Sequence, residues 1–126
     1  MDGGNAGTMM LVERTLLVQL NQALTDGAVR RLRAAVGAAL EEGTPRGLVL
    51  DLAGVDAMDS YITRCIRDLA ISARFMGVPT IVCGVQPAVA DTLVEMGLSL
   101  GDVPTAISLD GALRLLRASR RPRART

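Results

Sequence analysis

The 126 residues contain no histidine, no lysine and no tryptophan, and Tyr61 and Phe75 are the only aromatic side chains. Without histidine the chain lacks the usual imidazole base, any Ser-His-Asp arrangement and nearly every kind of zinc or iron centre. Without lysine it cannot build a Walker-type phosphate site, and neither G-x-G-x-x-G nor G-x-x-x-x-G-K-[ST] occurs. "MDSYI" (58–62) is not a G-x-S-x-G elbow, so nothing in the sequence activates its serine as a nucleophile. Cys65 and Cys83 stand far apart with no C-x-x-C spacing. They read as small buried hydrophobes, not as a disulfide framework or a metal-ligand set.

Long apolar runs are missing too. "GLVLDLAGV" and "VPTIVCGV" are the longest, far short of the ~20 residues of a membrane helix. "MDGGNAGTMM" has neither the basic region nor the apolar stretch of a signal peptide, so a cytoplasmic address without membrane association is expected. All 14 basic residues are arginine, and five of them (Arg117, Arg120, Arg121, Arg123, Arg125) fall in the last ten positions. Nine basic and 13 acidic residues remain elsewhere, a net charge of −4. With no aromatic interleaving in the basic tail, nucleic acid is not the expected partner; a solvated terminus is.

The composition describes one small globular domain. At 13.2 kDa, with 49% hydrophobic residues and a mean hydropathy of +0.32, the chain can bury one core. Residues 1–8 read as a disordered leader, 9–118 as the domain and 119–126 as an Arg-rich tail. "MMLVE" and "TLLVQLN" read as two strands close enough to form a hairpin, although "ER" between them is a weak turn signal. From Thr25 the spacing of Val29, Leu32, Val36 and Leu40 is helical, ended by Gly43 and Pro45. "GLVLDL" (47–52) predicts a strand covered on both faces. A helix starting near Ser60 should bury Ile62, Ile66, Leu69, Ala70, Ala73 and Met76 and end at Gly77, with Thr63, Arg64, Arg67 and Arg74 on its polar face. "VPTIVCGV" predicts a strand, "QPAVADTLVEMG" a helix with Pro87 in its first turn and Gly97 at its exit, and "TAISL" a short strand. Asp110 should cap a last helix that turns Leu113 and Leu116 inward. The order β-β-α-β-α-β-α-β-α is an α/β arrangement: a mixed, mostly parallel sheet with an N-terminal hairpin and about four helices.

Ser60 is the residue with most to explain. It reads as the cap of the helix that follows, although Asp59 could do the same job one position earlier. A hydroxyl at a helix start can also carry a phosphate, because unpaired amides there favour an anion. Asp51, Asp56 and Asp59 could in principle hold magnesium in a small enzyme, but loop aspartates ahead of a helix commonly serve turns and dipoles. Met58 and Tyr61 bracket Ser60, either as apolar contacts for a partner or, for Met58, as part of the core.

The run "VLDLAGVDAMDS", from buried strand through acidic loop to a serine at a helix start, resembles the STAS domain of anti-sigma factor antagonists over residues 9–118. "DSYI" (59–62), "FMG" (75–77) and "GVQPAVADTLVEMGL" (84–98) resemble most the RsbS-type stressosome scaffolds within that family. Free-standing antagonists usually continue after their phosphorylated serine with Ser or Thr and then Gly; Tyr61 and Ile62 occupy those positions here. The resemblance implies a STAS fold and a non-enzymatic protein without metal or other cofactor, which self-associates and co-assembles with STAS-containing sensor proteins. It further implies binding of a serine-protein kinase of the histidine-kinase-like ATPase type, released when Ser60 is phosphorylated and reset by a phosphatase, within partner switching that controls a sigma factor. Asp56, Met58, Asp59, Tyr61, Thr63 and Arg64 are the implied partner-binding residues, and Thr63 a second candidate acceptor. The alternative is a free-standing antagonist that binds an anti-sigma kinase directly.

Overall fold

The computed structural model describes residues 6–22, 24–95 and 103–120. Five strands and four helices follow the expected order: β1 (Gly7–Val12), β2 (Thr15–Leu20), α1 (Asp26–Glu41), β3 (Gly47–Asp51), α2 (Ser60–Phe75), β4 (Thr80–Cys83), α3 (Pro87–Glu95), β5 (Thr105–Ala106) and α4 (Leu109–Arg120). They form one sheet in the order β1-β2-β3-β4-β5. β1 runs antiparallel to β2, and every later pairing is parallel.

The two faces of the sheet follow from the alternation of side chains along each strand. Leu16, Val18, Leu20, Leu48, Leu50 and Val82 point to the face covered by α1, α2 and α3, where Val29, Val36, Ile62, Ile66, Leu69 and Val89 complete the larger core. Leu17, Val49, Ile81 and Cys83 point the other way, against Ala112 and Leu116 of α4. All five residues of β3 are buried, which accounts for the nearly unbroken apolar run at 47–50.

Local signals set the helix ends. Thr25 Oγ1 accepts from Ala28 N at 3.1 Å and caps α1, and Asp26 adds an acid to its first turn. At the end of α2, Gly77 takes φ +81° and Val78 N donates to Ala73 O at 2.9 Å, the six-to-one bond of a Schellman ending.

Several local expectations need correction. β1 starts at Gly7, inside the stretch read as leader, and α4 continues to Arg120, past the boundary drawn at 118. Residues 1–5, the tail at 121–126 and the expected helix exit at Gly97 lie outside the described residues. β5 is two residues long, and Ile107, which should have extended it, is almost fully exposed. Ser108 caps α4 in place of Asp110, its Oγ accepting from Gly111 N at 3.2 Å, so Asp110 falls in the first turn. Met76 follows the last turn of α2 and is exposed.

The weak "ER" turn signal has a structural counterpart. Val12 pairs with Thr15, leaving Glu13 (φ 51°) and Arg14 (φ 67°) as a two-residue turn with both residues in the left-handed region. That geometry suits the twist of a hairpin but favours Asn-Gly over side chains such as these. Arg46 N donates to Arg14 O at 2.7 Å, and Arg117 Nε meets Glu13 Oε1 at 3.2 Å. The second contact is exposed and contributes little. Replacing the turn by Asn-Gly (Glu13→Asn with Arg14→Gly) is expected to stabilise the fold by about 1 kcal/mol in urea denaturation. An unchanged or lower midpoint would show that the Glu13 and Arg14 side chains compensate for their backbone strain.

Candidate functional site

β3 ends at Asp51, and the chain from Leu52 to Asp59 crosses the C-terminal rim of the sheet before α2 begins. Leu52, Val55 and Met58 turn into the core at every third position. Ala53, Gly54, Asp56, Ala57 and Asp59 face outward between them. Val55 N donates to Leu52 O at 2.9 Å, closing a tight turn.

The loop is also held from its polar side. Asp51 is buried, and its Oδ1 accepts from Ala53 N at 3.0 Å while its Oδ2 accepts from Gln19 Nε2 at 3.3 Å. Gln86 Nε2 donates to Ala53 O at 2.7 Å, and Leu52 N donates to Cys83 O at 2.9 Å. The loop is thereby joined to β2, β4 and the entry of α3. Only glycine fits at 84, where φ is +73° and a Cβ would lie 2.8 Å from Asp51 Oδ1 and 2.9 Å from Ala53 N. Burial and the neighbouring Asp51 carboxylate, to which the thiol is hydrogen-bonded, push the Cys83 pKa up to about 12 from its ordinary 9.0. Cys83 therefore stays a neutral thiol at physiological pH, and Cys65 is buried as well.

The cap of α2 belongs to Asp59, not Ser60. Asp59 has extended backbone (φ −91°, ψ 179°), and its Oδ1 accepts from Ile62 N at 2.8 Å. Ser60 is the first helical residue and is half-buried. Thr63 departs further from expectation. It is only 2% exposed, and its hydroxyl donates to Asp59 O at 2.8 Å, so it belongs to the inner side of the helix start. Met58, at 8%, is a core residue rather than a surface contact. Asp56, Asp59, Tyr61 and Arg64 are exposed. Of the implied partner-binding residues, these four share the surface around Ser60, while Met58 and Thr63 support it from beneath. A groove of about 360 Å³ lies next to it, lined by Gln22, Leu24, Ala57, Met58, Asp59 and Ile62.

The magnesium alternative finds no geometric support. Asp51 is buried and engaged with Ala53 and Gln19, while Asp56 and Asp59 face solvent. No group of three Cys, Asp or Glu among the described residues is placed to hold a metal ion. Sequence reasoning did not find Gln19, Gly84 and Gln86, which brace the loop. The only signal was one polar residue inside the apolar strand "TLLVQL".

A hairpin-edged, mostly parallel sheet, with a serine at the first turn of the helix after its central strand, defines a domain of the STAS type. The family model described as the STAS domain matches residues 9–112, and the chain belongs to that family. Among proteins of known sequence, it is 36% identical over 66 residues to the RsbT co-antagonist protein RsbRD of Bacillus subtilis (strain 168), covering 52% of this chain and 24% of that one. The chain thus spans about a quarter of the length of that relative. Among solved structures, a serine-to-glutamate variant of Moorella thermoacetica RsbS superposes with a TM-score of 0.82 at 28% identity, covering 92% of this chain and 98% of that one. A chain from the molecular architecture of the stressosome, a signal integration and transduction hub, gives 0.80 at 30% identity, covering 91% and 100%. The protein is therefore similar to stressosome-type STAS proteins. No helix among the described residues is long and apolar enough to cross a membrane.

Separating the cap from the serine yields a stability test. Asp59→Ala should destabilise by about 1 kcal/mol through loss of the bond to Ile62 N, whereas Ser60→Ala should change stability by only a few tenths. Urea midpoints of the two variants measure this. A larger loss for Ser60→Ala would return the capping role to Ser60.

Proposed function

We propose that the protein is a non-catalytic scaffold of a stressosome-like assembly in which Ser60 is the phosphoacceptor. In this reading it self-associates, co-assembles with larger STAS-containing sensor proteins, and holds a serine-protein kinase of the histidine-kinase-like ATPase type. Phosphorylation of Ser60 releases the kinase into a partner-switching cascade that controls an alternative sigma factor, and a phosphatase restores the serine. The likeness to RsbS and to the stressosome chain supports the assembly, and a cytoplasmic location goes with it.

The observation that carries the switch is the division of labour at the start of α2. Asp59 caps the helix, and Leu52, Val55 and Met58 anchor the loop, so esterifying Ser60 removes no structural bond of theirs. A phosphate there would add roughly −1.5 to −2 charge. It would sit at a helix N-terminus, with Arg64 one turn away on the same helical face. The domain can accommodate that charge, whereas a partner docked over Asp56, Asp59 and Tyr61 would face a changed, more acidic surface. Tyr61 and Ile62, in place of the Ser/Thr-Gly pair usual in free-standing antagonists, favour the scaffold over direct binding of an anti-sigma kinase.

Ser60→Asp tests the reading with the kinase and a sensor protein co-expressed. Stability should stay within about 1 kcal/mol of wild type, since an acid in the first helical turn is favourable. Size exclusion should still show co-assembly with the sensor protein, while kinase retention falls at least tenfold. A small species that never co-assembles contradicts the scaffold role, and undiminished kinase retention contradicts the switch.

A further inference from the structure

Among the described residues, β1 is an edge strand without the usual protections. Edge strands are commonly blunted by charge, proline or a bulge. Gly7–Val12 has no charged residue and no proline, and it pairs with β2 through six consecutive positions without interruption. Its backbone polarity follows from one bond. Asn21 N donates to Ala6 O at 2.8 Å, so alternation along the antiparallel ladder turns Ala6, Thr8, Met10 and Val12 toward β2. The N–H and C=O groups of Gly7, Met9 and Leu11 face outward. Met9, Met10 and Leu11 are 39%, 52% and 50% exposed.

Met9 and Leu11 pair with Val18 and Leu16 and therefore share the face of the sheet that α1 covers. α1 stops short of the edge. Between it and β1 runs a groove of about 480 Å³, bounded by Gly7 and Met9 on one side and Ala28, Arg31, Leu32 and Ala35 on the other.

We propose that this edge pairs with the same edge of a second copy of the chain, β1 against β1, antiparallel about a two-fold axis at Met9. Only this register uses all three outward-facing residues on both strands: Met9 opposite Met9, and Gly7 opposite Leu11 in both directions. It also sets the leucine of each copy opposite the glycine of the other. The complementarity lies within one sequence, which is why the occupant is a second copy. A two-fold brings each residue near its symmetry mate, so any charge would face its like; the paired stretch carries none. Three half-exposed side chains on one strand edge make a small contact, below the about 1,200 Å² at which stable interfaces begin, so the pairing forms reversibly and gains strength within a larger assembly. The pairing deepens the scaffold reading, to which it gives a surface for self-association away from the Ser60 loop.

Cysteine cross-linking of the full chain tests the register, with wild type, whose Cys65 and Cys83 are buried, as the control. In a Met9→Cys variant the two Cα atoms would lie about 5.5 Å apart, within disulfide reach, whereas Met10→Cys offsets the pair beyond about 7 Å. Mild oxidation should convert Met9→Cys to a covalent dimer at least about tenfold more efficiently than Met10→Cys. In parallel, wild type should show a concentration-dependent dimer in sedimentation equilibrium, and Met9→Arg, confirmed as folded by circular dichroism, should abolish it. Equal cross-linking at both positions, no cross-link at Met9→Cys, or an undiminished Met9→Arg dimer would overturn the proposal. Failure of the Met9→Cys cross-link with intact sensor co-assembly overturns the edge pairing alone. Efficient cross-linking without sensor co-assembly overturns only the scaffold reading.

Discussion

The carboxylate of Asp51 is the joint on which the candidate site depends. It lies at the end of the most deeply buried strand, accepts bonds from Ala53 N and Gln19 Nε2, and leaves room only for glycine at position 84. A buried carboxylate is costly unless hydrogen-bonded, and here the bonds that satisfy it also fix the direction of the following loop. Because Gln19 lies on β2, this side chain ties the loop to that strand, while Leu52 N, donating to Cys83 O, ties it to β4. Leu52, Val55 and Met58 then fill the core from above. The loop bearing Ser60 is thus a braced part of the rim.

That bracing shapes what the site can do. A switch by covalent modification needs an acceptor reachable by another protein and a fold indifferent to its modification. Asp59 supplies the cap, Thr63 bonds inward to the Asp59 carbonyl, and Ser60 lies between them without holding the helix end. Exposed Asp56, Asp59, Tyr61 and Arg64 surround it with groups a partner can read. Nothing in the arrangement activates a nucleophile: the chain has no histidine or lysine, and the thiol nearest the joint is held protonated by burial and by Asp51. The scaffold function proposed here uses the serine as a place to put charge, not as a reagent.

The order of elements was legible in the sequence because the buried strands are nearly continuous apolar runs and the helices repeat every three to four residues. Short-range choices were less legible. Asp59 and Ser60 are both good caps, and periodicity alone does not separate adjacent positions; the same ambiguity moved the cap of α4 from Asp110 to Ser108. Thr63 looked polar by type, yet its hydroxyl bonds to a backbone carbonyl one turn back and needs no solvent. The network around Asp51 could not be read at all, since Gln19 lies 32 positions before it and meets it only after β2 and β3 pair. Family resemblance, rather than local chemistry, raised Ser60 from a helix-start residue to a candidate phosphoacceptor.

The central claim, that Ser60 is where another protein writes on this one, is tested most directly by peptide-mapping mass spectrometry after incubation with the cognate kinase and ATP. A single phosphate on the peptide containing Ser60, absent from Ser60→Ala, is the predicted result. A phosphate placed elsewhere and undiminished in Ser60→Ala would contradict it.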